Sequence, residues 1–261
     1  MKLLVDADYI VYKSCASCEY EIDYGNDVIV VASRFSDAMA AVERELKKLD
    51  NAIPFGDEKV LFFSGPDNFR KKIDPDYKGH RNRKKPCGYK RVINELASRY
   101  RVEINQVLEA DDLLGIHATN EPGNIIVSPD KDMRQIPGEL YNMDETMSVN
   151  EEEGRRWHLI QTMAGDQTDG YAGVPGIGVK RAVTLMESEG YNWPTVLGAF
   201  KKAGLTEEDA LRNARLAKIL TCKEYDFQTG QPIPWCPSDA DDEVDNGAGP
   251  KDETDNGRSS K

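Results

Sequence analysis

The sequence predicts an α/β fold in which helices flank a central, mostly parallel sheet. The main observation is that short apolar runs of strand length alternate with segments of helical spacing, a pattern typical of parallel sheets with helical crossovers. A second observation is that acidic residues stand where several of these runs end. The chain has 261 residues, 39% of them hydrophobic, which is enough for one large domain or two small ones.

Apolar runs predict strands at residues 2–5, 28–32, 59–63 and 124–127. Amphipathic spacing predicts helices over residues 36–49, 92–99, 109–117 and 155–164. Ser36 is the expected N-cap of the first of these helices. Gly173–Gly178 is expected to form a glycine-rich hairpin, followed by further helices up to about Tyr225. No apolar pattern repeats in residues 237–261, which predicts a disordered acidic tail.

The net charge of −12, taken alone, argues against a nucleic-acid partner. Its distribution reverses that impression, because residues 66–91 carry ten basic residues against three acidic ones. Residues 237–261 carry eight acidic residues against three basic ones. Local charge governs phosphate binding. The basic stretch is therefore a candidate contact for nucleic acid.

Composition also indicates where the protein works. No stretch approaches the roughly 18 apolar residues of a membrane helix, and the apolar run at residues 3–5 is too short for a signal peptide. Five cysteines are an odd number without framework spacing, and Cys15 and Cys18 form a lone C-x-x-C pair. We expect reduced thiols rather than a zinc site, no membrane association and a cytoplasmic location.

Nine acidic residues fall in five clusters where strands or helices are expected to begin or end: Asp6, Asp67, Glu109, Asp111, Asp112, Asp130, Asp132, Asp166 and Asp169. Ligands of such folds bind beyond the carboxyl ends of the strands, so these side chains can converge. Converging carboxylates repel one another, and hard divalent cations such as Mg²⁺ or Mn²⁺ relieve that repulsion. Any one of these acids alone is more often a helix cap or turn residue. The set together predicts a metal site.

Four motifs follow one another along the chain: Glu109-Ala110-Asp111-Asp112, Ser128-Pro129-Asp130-Lys131-Asp132, Gly165-Asp166-Gln167-Thr168-Asp169 and Gly173-Val174-Pro175-Gly176-Ile177-Gly178. In this order they resemble the structure-specific 5′-nuclease family, which includes flap endonucleases, the 5′-nuclease domains of bacterial DNA polymerases and bacteriophage 5′–3′ exonucleases. The resemblance covers about residues 1–225 and is greatest to the phage enzymes. Two departures are Ala7, where the family usually has Gly, and Pro129.

The resemblance implies a domain organisation. Residues 1–153 would form a PIN-like nuclease core, with residues 68–100 as a basic helical arch over the active site. Residues 154–236 would form a helix-hairpin-helix (H3TH) region that contributes Asp166 and Asp169 to that site. Residues 237–261 would be the acidic tail.

The resemblance also implies an activity. The chain is expected to be a two-metal-ion 5′–3′ exodeoxyribonuclease with flap endonuclease and RNase H activity, which removes primers in phage DNA replication in the host cytoplasm. Its partners would be DNA (duplex 5′ ends, nicks and flaps) and RNA–DNA hybrids. Two Mg²⁺ ions, or Mn²⁺ as a substitute, would be held by the nine acids. The protein would be a monomer, with the tail as a contact for replication proteins. The alternatives are a dedicated flap endonuclease and a catalytically inactive branched-DNA-binding protein.

Further residues follow from the same resemblance. In the segment Tyr77-Lys78-Gly79-His80-Arg81, Lys78 and Arg81 are expected one helical turn apart, where they would stabilise the transition-state phosphate. Tyr77 would stack on the terminal base, with simple packing as the alternative. The expected DNA contacts are Gly173, Gly176, Gly178, Lys180, Arg181, Arg83, Lys84 and Lys85. A K⁺ ion would lie near Val174 and Ile177.

Overall fold

The computed structural model of the chain describes residues 1–81 and 84–238, so Arg83 and most of the predicted tail lie outside the described residues. The described chain forms two compact units. The first is Met1–Asn150 with Ile219–Pro234, and the second is Glu151–Lys218 with the described residues 235–238. The family resemblance implied one region for residues 154–236, whereas in the structure Ile219–Pro234 belong to the first unit.

The strands of the first unit are β1 (Lys2–Asp6), β2 (Glu19–Asp23), β3 (Ile29–Ser33), β4 (Glu58–Phe63), β5 (Arg101–Ile104), β6 (Ile125–Val127), β7 (Gly138–Tyr141) and β8 (Thr146–Val149). Its helices are α1 (Ala7–Ser17), α2 (Phe35–Ala52), α3 (Arg70–Ile73), α4 (Tyr89–Leu96) and α5 (Ala110–Asn120). The second unit contains α6 (Glu151–Ala164), β9 (Gly165–Asp166), β10 (Tyr171–Ala172), α7 (Val179–Glu189), α8 (Trp193–Lys202) and α9 (Glu207–Ala217). The returning segment forms the hairpin β11 (Tyr225–Asp226) and β12 (Gln231–Pro232). Short 3₁₀ helices lie at Lys131–Gln135 and Cys222–Glu224.

The central sheet has six strands in the order β5-β4-β1-β6-β7-β8. Neighbouring strands are parallel except at the edge, where β8 pairs antiparallel with β7. Because side chains alternate along a strand, Leu3 and Val5 of β1 pack on one face of the sheet and Leu4 packs on the other. Helices cover both faces, as buried parallel strands require. The predicted α/β fold with a mostly parallel sheet is confirmed.

The N-cap prediction for α2 was wrong. Ser36 does not cap the helix, because the helix begins at Phe35 and Arg34 is its N-cap. The predicted strand at residues 28–32 is confirmed as β3, which pairs with β2 in a separate two-stranded sheet. The strands β2, β5, β7 and β8 were not predicted.

The segment expected to form a helical arch, residues 68–100, contains α3 and α4 in its described part. α3 spans four residues, α4 spans eight, and residues 75–80 between them form consecutive turns. Lys78 has a left-handed backbone conformation, with φ of 54°. A regular helix does not tolerate such a residue, so Lys78 and Arg81 do not lie on one helix as predicted.

The second unit packs its four helices around one apolar core that includes Leu159, Ile160 and Met163 of α6. After α6, the backbone at Gly165 passes very close to the backbone at Gly173. A Cβ atom on Gly165, whose φ is +67°, would lie 2.0 Å from the backbone nitrogen of Gly173. Glycine is therefore required at residue 165 for both conformation and space. No helix within the two described stretches is long and apolar enough to cross a membrane.

Candidate functional site

The carboxyl ends of three neighbouring parallel strands form the edge that positions the site of the first unit. β1 lies between β4 and β6, with Asp6 in register with Phe62 and Val5 in register with Val127. The strand ends therefore bring Asp6 close to Ser128, whose hydroxyl donates to Asp6 Oδ2 at 3.0 Å. The same hydroxyl accepts the Asp130 N–H at 3.2 Å. Ser128 thus holds Asp6 and the Asp130 backbone at one edge of the sheet.

The amino terminus of α5 is attached to the same edge. Ser64, which follows β4, accepts the Ala110 N–H on its hydroxyl oxygen at 3.1 Å. Glu109 is the N-cap residue of α5 and Asp111 lies in its first turn. The helix start therefore directs two acidic side chains toward the strand ends, where the positive end of the helix dipole stabilises negative charge.

Mutual repulsion identifies the acids that the fold brings together. Burial, with the nearby carboxylates of Asp8 and Asp130, raises the pKa of Asp6 to about 6. Burial and the carboxylates of Asp6, Asp130 and Glu109 raise the pKa of Asp111 well above its usual range. The neighbouring carboxylates therefore make ionisation of Asp6 and Asp111 harder. Asp6, Glu109, Asp111 and Asp130 form what we call the carboxylate cluster.

The chemistry of this cluster fits a hard divalent cation, which favours carboxylate oxygens and removes their repulsion. The positions of the side chains, however, do not yet form a complete set of ligands around one ion. Within residues 1–81 and 84–238, no group of three or more Asp, Glu, His or Cys side chains is arranged to hold one metal ion. Occupancy therefore requires side-chain rotation within the cluster.

Glu109 is held by three donors. Its Oε1 accepts from Lys78 Nζ at 2.5 Å, and its Oε2 accepts from the Tyr77 hydroxyl at 3.1 Å and from Arg70 at 3.3 Å. Burial disfavours the charged carboxylate, but the Lys78 ammonium and the Arg70 guanidinium outweigh it and lower the Glu109 pKa. Lys78 thus lies at the carboxylate cluster, and its role toward the transition-state phosphate stays a prediction.

Tyr77 does not have the environment that base stacking needs. Its side chain is buried, with an exposed fraction of 2%, and its hydroxyl is used by Glu109. The packing alternative describes it better. Arg81, by contrast, is exposed.

Asp112 also differs from its predicted role. It is 0% exposed and Arg70 is 2% exposed. The Arg70 guanidinium donates hydrogen bonds to both carboxylate oxygens of Asp112, at 2.7 and 2.8 Å. The same oxygens accept the backbone N–H groups of Glu109 and Leu220, each at 3.2 Å. These four bonds commit Asp112 to structure rather than to metal binding.

Two other predicted ligands of the first unit are placed differently from the cluster. Asp67 is exposed, and its Oδ2 accepts from the Gln106 side chain at 2.8 Å. Asp132 is half-buried on the 3₁₀ helix and donates its N–H to Asp130 Oδ1 at 2.9 Å. Asp132 is therefore adjacent to the cluster through Asp130.

Sequence reasoning missed Asp8 and Arg70. Asp8 lies two residues after Asp6 and is one of the charges that raise its pKa. The available signal was the Asp6-Ala7-Asp8 spacing at the end of a strand. Arg70 belongs to the basic stretch of residues 66–91, and no local signal marks it as buried.

Asp166 and Asp169 belong to the second unit. Asp166 Oδ1 accepts the N–H groups of Thr168 at 2.7 Å and Asp169 at 3.2 Å, which closes a turn between β9 and β10. Asp226 makes the same bonds to Gln228 and Thr229 in the β11–β12 hairpin. Asp166 therefore has the geometry of a local turn residue, and it would bind a metal ion through its other carboxylate oxygen, Oδ2.

The glycine-rich segment of the second unit begins α7. Gly176 has φ of +77° and its carbonyl accepts from Arg181 at 2.7 Å. Gly178 is the N-cap of α7 without a side-chain cap, so the first N–H groups of the helix are open to a ligand. Gly173 fits tightly against Ala164, where a Cβ atom would meet backbone at 2.2 Å. Lys180 is exposed.

The predicted K⁺ position falls on a turn in this segment. Val174 is buried and its carbonyl accepts the Ile177 N–H at 2.9 Å. In the basic stretch, Lys84 and Lys85 are exposed, and Arg83 lies outside the described residues.

Comparison with known proteins places this arrangement among nucleases. Residues 1–158 match the family described as 5'-3' exonuclease, N-terminal resolvase-like domain. The exonuclease of Escherichia phage T7 is 28% identical over 280 aligned residues, covering 90% of this chain and 93% of the phage protein. The exodeoxyribonuclease of Enterobacteria phage T3 is 27% identical, and its match covers 90% and 92% of the two chains.

Solved structures share the fold. A T5 protein co-crystallised with metal ions superimposes with a TM-score of 0.63 at 14% identity, covering 83% of this chain and 89% of the T5 chain. A bacteriophage T5 flap endonuclease in complex with DNA and metal ions gives a TM-score of 0.60 at 14% identity, with coverage of 83% and 88%. At these identities the likeness concerns the fold.

Proposed function

Because the chain belongs to the 5′-3′ exonuclease family, by its N-terminal resolvase-like domain, we propose that it is a metal-dependent nuclease that hydrolyses DNA from 5′ ends. The observation that carries the proposal is the carboxylate cluster of Asp6, Glu109, Asp111 and Asp130 at the carboxyl ends of parallel strands. Within it, burial and the neighbouring carboxylates raise the pKa values of Asp6 and Asp111. The fold tolerates such repulsion where a cation and an anionic substrate meet.

The chemistry follows from the residues around the cluster. Bound divalent cations would lower the pKa of a water molecule and stabilise charge on the attacking and leaving oxygens of the phosphodiester. Asp6, Asp111 and Asp130 would hold them. Lys78 Nζ donates to Glu109 Oε1 at 2.5 Å. We propose that its ammonium group turns from this carboxylate to the substrate phosphate. Arg81, exposed on the following turn, would add a bidentate contact.

We propose Mg²⁺ as the metal, with Mn²⁺ as a substitute, because the donor set consists of carboxylates. Asp132, Asp166 and Asp169 are proposed as ligands of a second ion, and Glu109 as a shared one. Asp67 and Asp112 are left out of the proposed centre, since one is exposed beside Gln106 and the other is committed to Arg70. A K⁺ ion at the carbonyls of Val174 and Ile177 is a further proposal.

DNA would be held by features that do not read sequence. The open N–H groups before α7, with Lys180 and Arg181, suit a backbone phosphate, and Lys84 and Lys85 add positive charge in the basic stretch. Proposed substrates are duplex 5′ ends, nicks and flaps, and RNA–DNA hybrids during primer removal. We propose a monomer acting in the host cytoplasm, with residues 237–261 as a contact for replication proteins.

A second candidate is a dedicated flap endonuclease. It is favoured by the shared fold with a phage protein described as a flap endonuclease in complex with DNA and metal ions. The two functions differ in substrate preference rather than in chemistry. Cleavage of labelled blunt duplex, nicked, flap and RNA–DNA substrates side by side separates them, since a dedicated flap endonuclease would leave blunt duplex ends intact.

The metal assignment is tested by Asp111→Asn, which preserves side-chain shape and removes the charge at the centre of the cluster. We expect cleavage of 5′-labelled duplex with Mg²⁺ to fall at least about a thousandfold, because several kcal/mol of transition-state stabilisation are lost. DNA binding without metal should persist. Asp37→Asn, an exposed acid in the first turn of α2, is the matched control. Unchanged turnover in Asp111→Asn would refute the proposed centre.

A further inference from the structure

The carboxyl-terminal part of the basic stretch, residues 84–91, is attached to the first unit by buried anchors and presents its charges outward. We call it the basic limb. Pro86 and Tyr89 are buried. The exposed members are Lys84, Lys85, Lys90 and Arg91. The Tyr89 ring packs in the apolar core formed with α1 and α2. The limb therefore has a fixed inner side and a cationic outer side.

Asp8 joins this limb to the edge of the sheet. Its Oδ2 accepts the Ser64 N–H at 2.8 Å, and its Oδ1 accepts the Tyr89 hydroxyl. Lys85 Nζ lies 3.9 Å from the same Oδ1 and 4.4 Å from the centroid of the Tyr89 ring. Ser64 in turn accepts the Ala110 N–H. One carboxylate thus connects the start of α5 with the basic limb.

A second acid attaches the same limb from the other direction. Glu19 of β2 accepts the Cys87 N–H at 2.7 Å, and Cys87 Sγ donates to the Val31 carbonyl of β3 at 3.5 Å. The limb is therefore held at two neighbouring points, Cys87 by Glu19 and Tyr89 by Asp8. Packing alone would be satisfied by phenylalanine at residue 89, so the hydroxyl serves the bond to Asp8.

We propose that Asp8 is a positioning residue that, through Tyr89 and Lys85, fixes the basic limb beside the carboxylate cluster so that Lys84 and Lys85 meet the phosphates of the strand bearing the 5′ end. Asp8 touches neither the metal nor the DNA. The inference rests on the proposed nuclease function. It adds a determinant of substrate affinity that the metal-binding acids do not explain.

The test compares Asp8→Asn, Tyr89→Phe and the double variant by steady-state cleavage of 5′-labelled duplex with Mg²⁺. We expect each single variant to raise KM about tenfold, the size of one charge-assisted hydrogen bond. In Tyr89→Phe, which leaves the Asp8 charge beside Asp6 in place, kcat should stay within about twofold. The double variant should be no worse than either single one, because both remove the same bond. The slope of log affinity against log salt concentration should become shallower, by the amount that corresponds to losing about one to two phosphate contacts.

Tyr100→Phe is the matched control, since its hydroxyl also donates to a carboxylate, Glu43 at 3.3 Å, and should leave KM unchanged. An unchanged KM in Tyr89→Phe, or additive losses in the double variant, would overturn the inference. Weakened Mn²⁺ binding in Tyr89→Phe would also overturn it, because the bond between Tyr89 and Asp8 would then support the metal centre rather than the basic limb. Wild-type protein that does not cleave DNA at all would refute the proposed function instead.

Discussion

Replacing Arg70 by methionine should strongly destabilise the first unit. The change keeps an apolar stem of similar length and removes the guanidinium from Asp112, which is 0% exposed. Of the four hydrogen bonds to the Asp112 carboxylate, only those from the Glu109 and Leu220 N–H groups remain. Leaving a buried charge without its partner typically costs about 3–5 kcal/mol. With a urea slope of roughly 2 kcal/mol/M, the unfolding midpoint would fall by about 1.5–2.5 M.

The assay must report on the first unit. All three tryptophans of the chain, Trp157, Trp193 and Trp235, lie in the second unit, so tryptophan fluorescence follows the wrong part. Far-UV circular dichroism in urea is the suitable measurement. Arg99→Met is the control, because Arg99 pairs with Glu95 and Glu43 on the surface, where ion pairs contribute little.

The double variant Arg70→Met with Asp112→Leu decides the cause. If the cost comes from an unpaired buried charge, removing both charges should restore much of the stability that the single variant loses. A single-variant loss below about 1 kcal/mol, or a double variant as unstable as the sum of both single variants, would refute the reasoning.

Two further predictions concern the second unit. Burial lowers the pKa of His158 to about 3, and its Nε2 donates to the Ala214 carbonyl at 2.9 Å. The unfolded chain therefore binds a proton below about pH 6.5 that the folded chain does not. This contribution should reduce stability by about 1.4 kcal/mol per pH unit as pH falls from 6.5 toward 3, and tryptophan-detected unfolding of His158→Phe should show a shallower pH dependence. Gly165→Ala should cost at least about 2 kcal/mol, because its Cβ atom would lie 2.0 Å from Gly173. Gly198→Ala, with no atom within 4 Å, should be neutral or stabilising in the same unfolding measurement.

Local pattern was sufficient for much of the fold. The apolar runs that became β1, β4 and β6 are flanked by acids and serines, and their parallel pairing brings Asp6 and Ser128 together. The short strands β7 and β8 were missed because Gly138–Tyr141 and Thr146–Val149 are too short and too polar to show a period. The prediction that Lys78 and Arg81 lie one helical turn apart failed, because the chain adopts a left-handed conformation at Lys78 that no periodicity marks.

The candidate site was predicted in part for a similar reason. The acidic motif at the start of α5 indicated carboxylates at a helix start, but three adjacent acids have three different environments. Glu109 meets Lys78, Asp111 faces Asp6 and Asp130, and Asp112 is buried against Arg70. Spacing alone treats them as equivalent.

The sequence by itself therefore determined the fold class, the family and the region where acids gather, because these depend on periodicity and on motif order along the chain. Only the tertiary structure decided which acidic side chains lie close enough to repel one another and which are paired with a basic side chain. Arg70 and Asp112 are 42 residues apart, and Asp8 and Tyr89 are 81 apart. The partner of a buried charge is chosen by packing between distant segments, and residue order carries no local record of that choice.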